Sequence, residues 1–199
     1  MHKAAASDAD IVIFDLEDAV TEQAKPLARE QIPALLQTHA DDLARLWVRI
    51  NPLEGSHALA DLAAVMPGRP GGIMLPKSCG PGDIERLDHY LSALEAAHGI
   101  ESGSTAIIAL VTETAAGMFT TGQYRGAPRL VAMSWGAEDL ADDVGASENR
   151  DSDGRYGFTY ELARSLCLLG ATAAGVVAVE TIHGDFRDLD GLRERAIQV

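Results

Sequence analysis

Leu130-Val131-Ala132-Met133-Ser134-Trp135-Gly136-Ala137-Glu138-Asp139 is the segment from which the architecture of this chain is best read. Its first five residues are apolar or small, and none alternates with a charge. A glycine turn follows, and then two acids. A strand with one face in water alternates apolar and polar side chains. An unbroken apolar run of this length instead reads as a strand covered on both faces, as in a parallel sheet layered by helices. The acids then mark the strand's C-terminal end.

The same pattern recurs on either side. Residues 11–14 run apolar into Asp15-Leu16-Glu17-Asp18, and residues 46–50 carry Arg49 and end at Asn51-Pro52. Residues 72–75 lead to Pro76-Lys77, residues 106–111 lead to Glu113, and residues 176–179 lead to Glu180. Between these six runs lie stretches of helical composition near 25–37, 58–65, 81–97 and 160–169. The third has Pro81 at its start and Gly99 as its stop. Repeated strand–helix units build either a closed α/β barrel or an open doubly wound sheet. Neither a G-x-G-x-x-G after the first run nor a G-x-x-x-x-G-K-[ST] occurs, which removes the usual marks of nucleotide-binding open sheets. Polar residues at nearly every strand end favour the barrel, where those ends converge on one mouth. Six strands fall short of eight, so the expected fold is an incomplete (β/α)₈ barrel, one domain over residues 1–199.

Composition narrows the function. The 199 residues are 47% hydrophobic and 23% charged, ordinary for a globular domain. A net charge of −14 with no basic block argues against nucleic acid and anionic membranes as partners. No apolar run approaches the length of a membrane span. Cys79 and Cys167 are far apart and outside any C-x-x-C pattern, so a reduced, cytoplasmic setting without a disulfide or zinc framework is expected.

Glu113 and Asp139 are the leading candidates for chemistry. A carboxylate at the end of a buried strand is costly unless paired or bound to a cation, and two at neighbouring strand ends repel. A hard divalent cation such as Mg²⁺ resolves this with one or two carboxylates plus water and substrate oxygens. Helix capping by each acid is the alternative. Arg49 offers paired donors for a substrate carboxylate or an enolate oxygen, or else a structural ion pair with Asp15 or Glu17. Alternation points Asp15 and Glu17 one way and Leu16 the other. An acidic mouth would raise the pKa of Lys77, which argues against imine chemistry there and for an electrostatic role. The histidines show no ligand spacing, and only His183 falls near the mouth.

The segments ADIVIFDLEDAV, LWVRINP, GIMLPK, ALVTETAAG and LVAMSWGAEDLADDVG, in this order, resemble the citrate lyase β-subunit-like group of the HpcH/HpaI aldolase family. The resemblance implies a Mg²⁺-dependent carbon–carbon lyase. Its reaction would cleave or form a 3-hydroxyacyl thioester of the citryl-, malyl- or citramalyl-CoA type, with an acetyl thioester and a 2-oxo acid as the other partners. It implies Glu113 and Asp139 as metal ligands, Arg49 as the arginine that binds substrate and enolate, and Glu17 as an acidic catalytic neighbour. The Gly136-Ala137-Glu138 turn is expected to contact substrate. Family members assemble as homo-oligomers, with a trimer favoured here. Relative to the family, the chain is expected to begin inside a helix at Met1, without the first strand, and to stop before the last strand and the helices that often assist CoA binding. It would then hold family strands 2 to 7. Two alternatives stay open: a catalytically weak homologue that binds an oxo acid or a partner subunit, and an aldolase acting on a free hydroxy-oxo acid.

Overall fold

A computed structural model describes residues 2–185 and 187–197. Met1, expected inside a helix, lies outside the described residues, as do Phe186, Gln198 and Val199. Six parallel strands form one sheet in sequential order: β1 (Val12–Asp15), β2 (Leu46–Arg49), β3 (Gly72–Leu75), β4 (Ala106–Leu110), β5 (Leu130–Ser134) and β6 (Val177–Val179). Each strand neighbours the next in sequence, the winding of an α/β barrel. The order reversal of a doubly wound sheet is absent among the described residues.

The helices are α1 (His2–Ala5), α2 (Lys25–Thr38), α3 (Ala58–Val65), α4 (Pro81–His98), α5 (Ala115–Met118), α6 (Glu138–Asp143), α7 (Phe158–Ala174) and α8 (Leu189–Ile197). α4 starts with Pro81, whose missing N–H costs nothing in a first turn, and ends at Gly99 in the left-handed conformation. One face of the sheet, with Phe14, Val48, Ile73, Leu75, Ile107 and Met133, packs on Leu35, Leu36, Leu62, Leu87, Leu91 and Ala163 of the helices. The other face holds a smaller cluster of Trp47, Ile108 and Ala132. The Trp47 ring occupies the space a side chain at position 72 would need, so a Cβ on Gly72 would clash with it.

The expectation of two covered faces holds for the central strands but not throughout. Ile13 on β1 and Val177 on β6 are 39% and 63% exposed, because these outermost strands have a neighbour on one side only among the described residues. Val131 is exposed for a different reason. The register steps from Ile107↔Leu130 to Ile108↔Ala132, so Val131 is the extra residue of a bulge. No described helix is long and apolar enough to cross a membrane.

Candidate active site

The register of β1 on β2 sets Asp15 beside Arg49. Arg49 donates from Nε to Asp15 Oδ1 at 2.7 Å and from Nη2 to Oδ2 at 2.5 Å, a two-point fork that fixes the guanidinium plane. Its Nη1 lies 2.9 Å from Glu17 Oε2 and 3.5 Å from Asp18 Oδ2. Burial alone would raise the Asp15 pKa, but the Arg49 fork and the N–H groups of Glu17 and Ala19 hold it below the usual value. Leu16, between the two acids, is fully buried on the opposite side, as strand alternation requires.

Behind this pair stands a buried polar support. Lys25 donates to the Leu16 and Glu17 carbonyls and to Asn51 Oδ1, at 2.8, 3.1 and 2.8 Å. Asn51 donates from Nδ2 to Leu16 O and to Asp61 Oδ2, and Asp61 also accepts from Arg29 Nε at 2.7 Å. Asp61 is 0% exposed. The group ties the C-terminal ends of β1 and β2 to α2 and α3, which holds Asp15, Glu17 and Arg49 in register.

Lys77 follows β3 in the left-handed region, at φ 51°, where non-glycine residues are uncommon. Its Nζ donates to Glu17 Oε1 at 2.8 Å and lies 2.7 Å from Asp139 Oδ1, while its backbone N–H donates to Glu113 Oε2 at 2.8 Å. Burial lowers the Lys77 pKa, and the acids on both sides outweigh it and push the value up. The Glu113 carboxylate fits a recess that only glycine leaves open: a Cβ on Gly136 would lie 2.7 Å from Glu113 Cγ and 2.9 Å from Oε1. Neither acid caps a helix. Thr114 caps α5 by accepting from Gly117 N, and Asp139 in the first turn of α6 turns to Lys77 instead. Asp143 of α6 accepts from Ala115 N at 2.7 Å and so joins the segment carrying Glu113 to the helix carrying Asp139.

Burial pushes the Glu113 pKa up to about 8, aided by the negative charges of Asp139 and Glu17 and opposed by the Lys77 N–H. A carboxyl whose folded pKa is raised stabilises the fold fully below its unfolded pKa, near 4.5, and loses that contribution as pH climbs toward 8. Glu113→Gln is therefore expected to approach the wild type in urea midpoint below about pH 4 and to exceed it above pH 8, both in chelator. A constant offset between the two proteins would contradict the assignment.

A cavity of about 460 Å³ opens over these groups. Arg49, Glu113, Ser134, Gly136, Glu138 and Asp139 line its polar side, and Ile13, Met74, Leu110 and Val179 its apolar side. The structure thus brings Arg49, Glu113, Asp139, Gly136 and Glu138 to one cavity, with Glu17 buried beside them. Ala137 is fully buried in the core cluster and is not on the cavity wall. His183, 3.0 Å from Asp188 O, lines an adjoining cavity that shares Glu138 and Ile182 with this one. Glu180 is engaged by Trp135 and Arg164. The supporting Lys25, Asp61 and Asp143 were not singled out from sequence. Asp61 had one signal, as the only acid on the otherwise apolar helix ALADLAAV.

A sequentially wound parallel sheet with a forked arginine and clustered carboxylates at its strand ends defines an α/β-barrel-type protein with its site at the C-terminal mouth. The chain belongs to the HpcH/HpaI aldolase/citrate lyase family, whose family model it matches over residues 1–199. It is 39% identical over 192 residues to a citrate lyase subunit beta-like protein of Mycobacterium tuberculosis, covering 96% of this chain and 63% of that protein. It is 30% identical over 198 residues to a (3S)-malyl-CoA thioesterase of Cereibacter sphaeroides, covering 100% of this chain and 64% of that one. The chain thus spans less than two thirds of these curated relatives. The crystal structure of protein CitE from Mycobacterium tuberculosis in complex with magnesium and acetoacetate superposes with a TM-score of 0.82 at 37% identity, covering 99% of this chain and 74% of that one.

Proposed function

We propose that this chain carries the catalytic site of a Mg²⁺-dependent carbon–carbon lyase acting on short 3-hydroxyacyl-CoA thioesters of the malyl, citramalyl or citryl type. The observation that carries the reading is the meeting of Glu113 and Asp139 with the forked Arg49 at one cavity. The donor set fits the cation. Both ligands offer carboxylate oxygens, the preference of a hard dication, and their mutual repulsion is what such a charge relieves. Among the described residues no three His, Cys, Asp or Glu side chains form a complete cage. Two carboxylates, with water and substrate oxygens filling the remaining positions, are a usual Mg²⁺ arrangement. When bound, the cation supplies Lewis-acid polarisation of the oxo-acid oxygen.

The protein's own groups do the rest. Arg49 has five N–H donors. Asp15 takes those of Nε and one of Nη2, and Asp18 takes one of Nη1. Nη1 also faces Glu17 Oε2 at 2.9 Å, so the second N–H of Nη2 is the one that remains for a thioester enolate oxygen. Ile13, Met74, Leu110 and Val179 give the cavity an apolar wall beside these donors, which favours the attraction. Glu17 pairs with both Arg49 and Lys77, at 2.9 and 2.8 Å, and so ties the two cations to one carboxylate.

The test incubates purified protein and Mg²⁺ with malyl-, citramalyl- or citryl-CoA. Acetyl-CoA and the matching 2-oxo acid are the expected products. The likeness to a malyl-CoA thioesterase supports a second reading, in which the thioester itself is hydrolysed. That reading predicts free CoA thiol in place of acetyl-CoA. Absence of both products with all three substrates would rule out each.

A further inference from the structure

Among the described residues, Lys77 is the one that touches all three site acids. Its ammonium bridges Glu17 and Asp139 at 2.8 and 2.7 Å, and its own backbone N–H holds Glu113 at 2.8 Å. These contacts depend on the left-handed backbone at φ 51°, which turns amide and side chain of one residue toward the same acidic cluster. The strain of that conformation is offset by the contacts it allows. Arg49 does not serve Asp139, because its ion pairs go to Asp15, Glu17 and Asp18. Lys77 is therefore the positive charge placed between Glu17 and Asp139, where a dication held by Glu113 and Asp139 would also draw on Asp139.

We propose that Lys77 is an internal counter-ion that competes with the divalent cation for Asp139. In the metal-free protein it keeps the acids gathered. On cation binding the ammonium gives up Asp139 and stays on Glu17, 2.8 Å away on its other side. This rests on the reading of Glu113 and Asp139 as cation ligands and adds the residue that sets how tightly and how selectively they bind. An ammonium beside a dication repels it, so cation affinity is held below what the carboxylates alone would give. The backbone N–H to Glu113 is unaffected by side-chain replacement, so loss of the Lys77 charge relaxes the competition and leaves Glu113 in place.

Two measurements on the full chain test this. In the first, Mn²⁺ binding is followed by electron paramagnetic resonance for the wild type, Lys77→Met, Lys77→Arg and Glu113→Gln. Lys77→Met is expected to bind Mn²⁺ at least about tenfold more tightly than the wild type, for loss of a unit charge a few ångströms from the ion. Lys77→Arg, which keeps the charge, is expected to stay near the wild type. In the second, the wild type is acylated with an amine-reactive ester, with and without Mg²⁺, and Lys77 is quantified by peptide mass spectrometry. Mg²⁺ is expected to change the labelling of Lys77, because release from Asp139 removes one of the two carboxylates that hold its Nζ. If the wild type binds Mn²⁺ through Glu113 while Lys77→Met binds no more tightly, or Mg²⁺ leaves the labelling unchanged, the competition is refuted and the cation reading stands. If neither the wild type nor Lys77→Met binds Mn²⁺, or Glu113→Gln binds as the wild type does, the cation reading falls and the competition with it. If Lys77→Met does not fold, the labelling of the wild type decides.

Discussion

Arg49→Lys is expected to lower kcat for carbon–carbon cleavage of the CoA thioester by about 10²–10³-fold, with a much smaller change in KM. The reason lies in the fork. Arg49 meets Asp15 with two donors at 2.7 and 2.5 Å, and this leaves its remaining N–H groups in a fixed plane over the cavity. Lysine keeps the charge but has a single rotatable ammonium, so it can satisfy Asp15 or the enolate oxygen and not both in one geometry. The negative charge on that oxygen develops during bond cleavage, so the loss falls on the transition state more than on the bound substrate. Steady-state kinetics with the best of the three CoA thioesters measure it. A variant with unchanged kcat and raised KM would make Arg49 a binding residue only.

Asp61→Ala is expected to cost about 3–5 kcal/mol of unfolding free energy, the range for breaking a buried ion pair by removing one partner. Asp61 accepts from Arg29, from Asn51 N and from Asn51 Nδ2, and it is fully buried. Its removal strands a guanidinium and a buried amide together, and Asn51 then loses the partner that holds it against Lys25 and the Leu16 carbonyl. Urea denaturation reads the loss as a lower midpoint. Because the same group holds the ends of β1 and β2, the folded fraction of the variant is also expected to lose turnover, although Asp61 has no contact with the cavity. A loss below about 1 kcal/mol would place Asp61 among exposed, weakly contributing ion pairs.

Much of the site was legible before the fold was known. Apolar runs ending in Asp15, Arg49, Lys77, Glu113 and Asp139 announced strands and the side on which their ends gather, because continuous burial leaves a strand no other place for a charge. Helix bounds at Pro81 and Gly99 were legible for a local reason, since the signals lie within the turn they cap. Lys25, Asp61 and Asp143 were hidden. Each acts on partners from 8 to 32 positions away, and nothing in the neighbouring residues distinguishes such an acid or lysine from a solvated one. The exposure of Ile13 and Val177 was hidden too, because their runs are as apolar as those of the central strands and differ only in position in the sheet.

Local pattern was therefore enough to establish a parallel α/β sheet and the family, and to mark the candidate site residues, since each follows from residue type and order along the chain. How those residues share their partners was settled by the packing of the strands. The same Arg49 could have met Asp15 or Glu17, and strand register gave the fork to Asp15. The same Lys77 could have pointed to solvent, and a left-handed turn after β3 set its amide on Glu113 and its ammonium between Glu17 and Asp139. Charge pairing across strands depends on distances of a few ångströms between residues 34 to 62 positions apart, and only close-packed burial fixes distances of that kind.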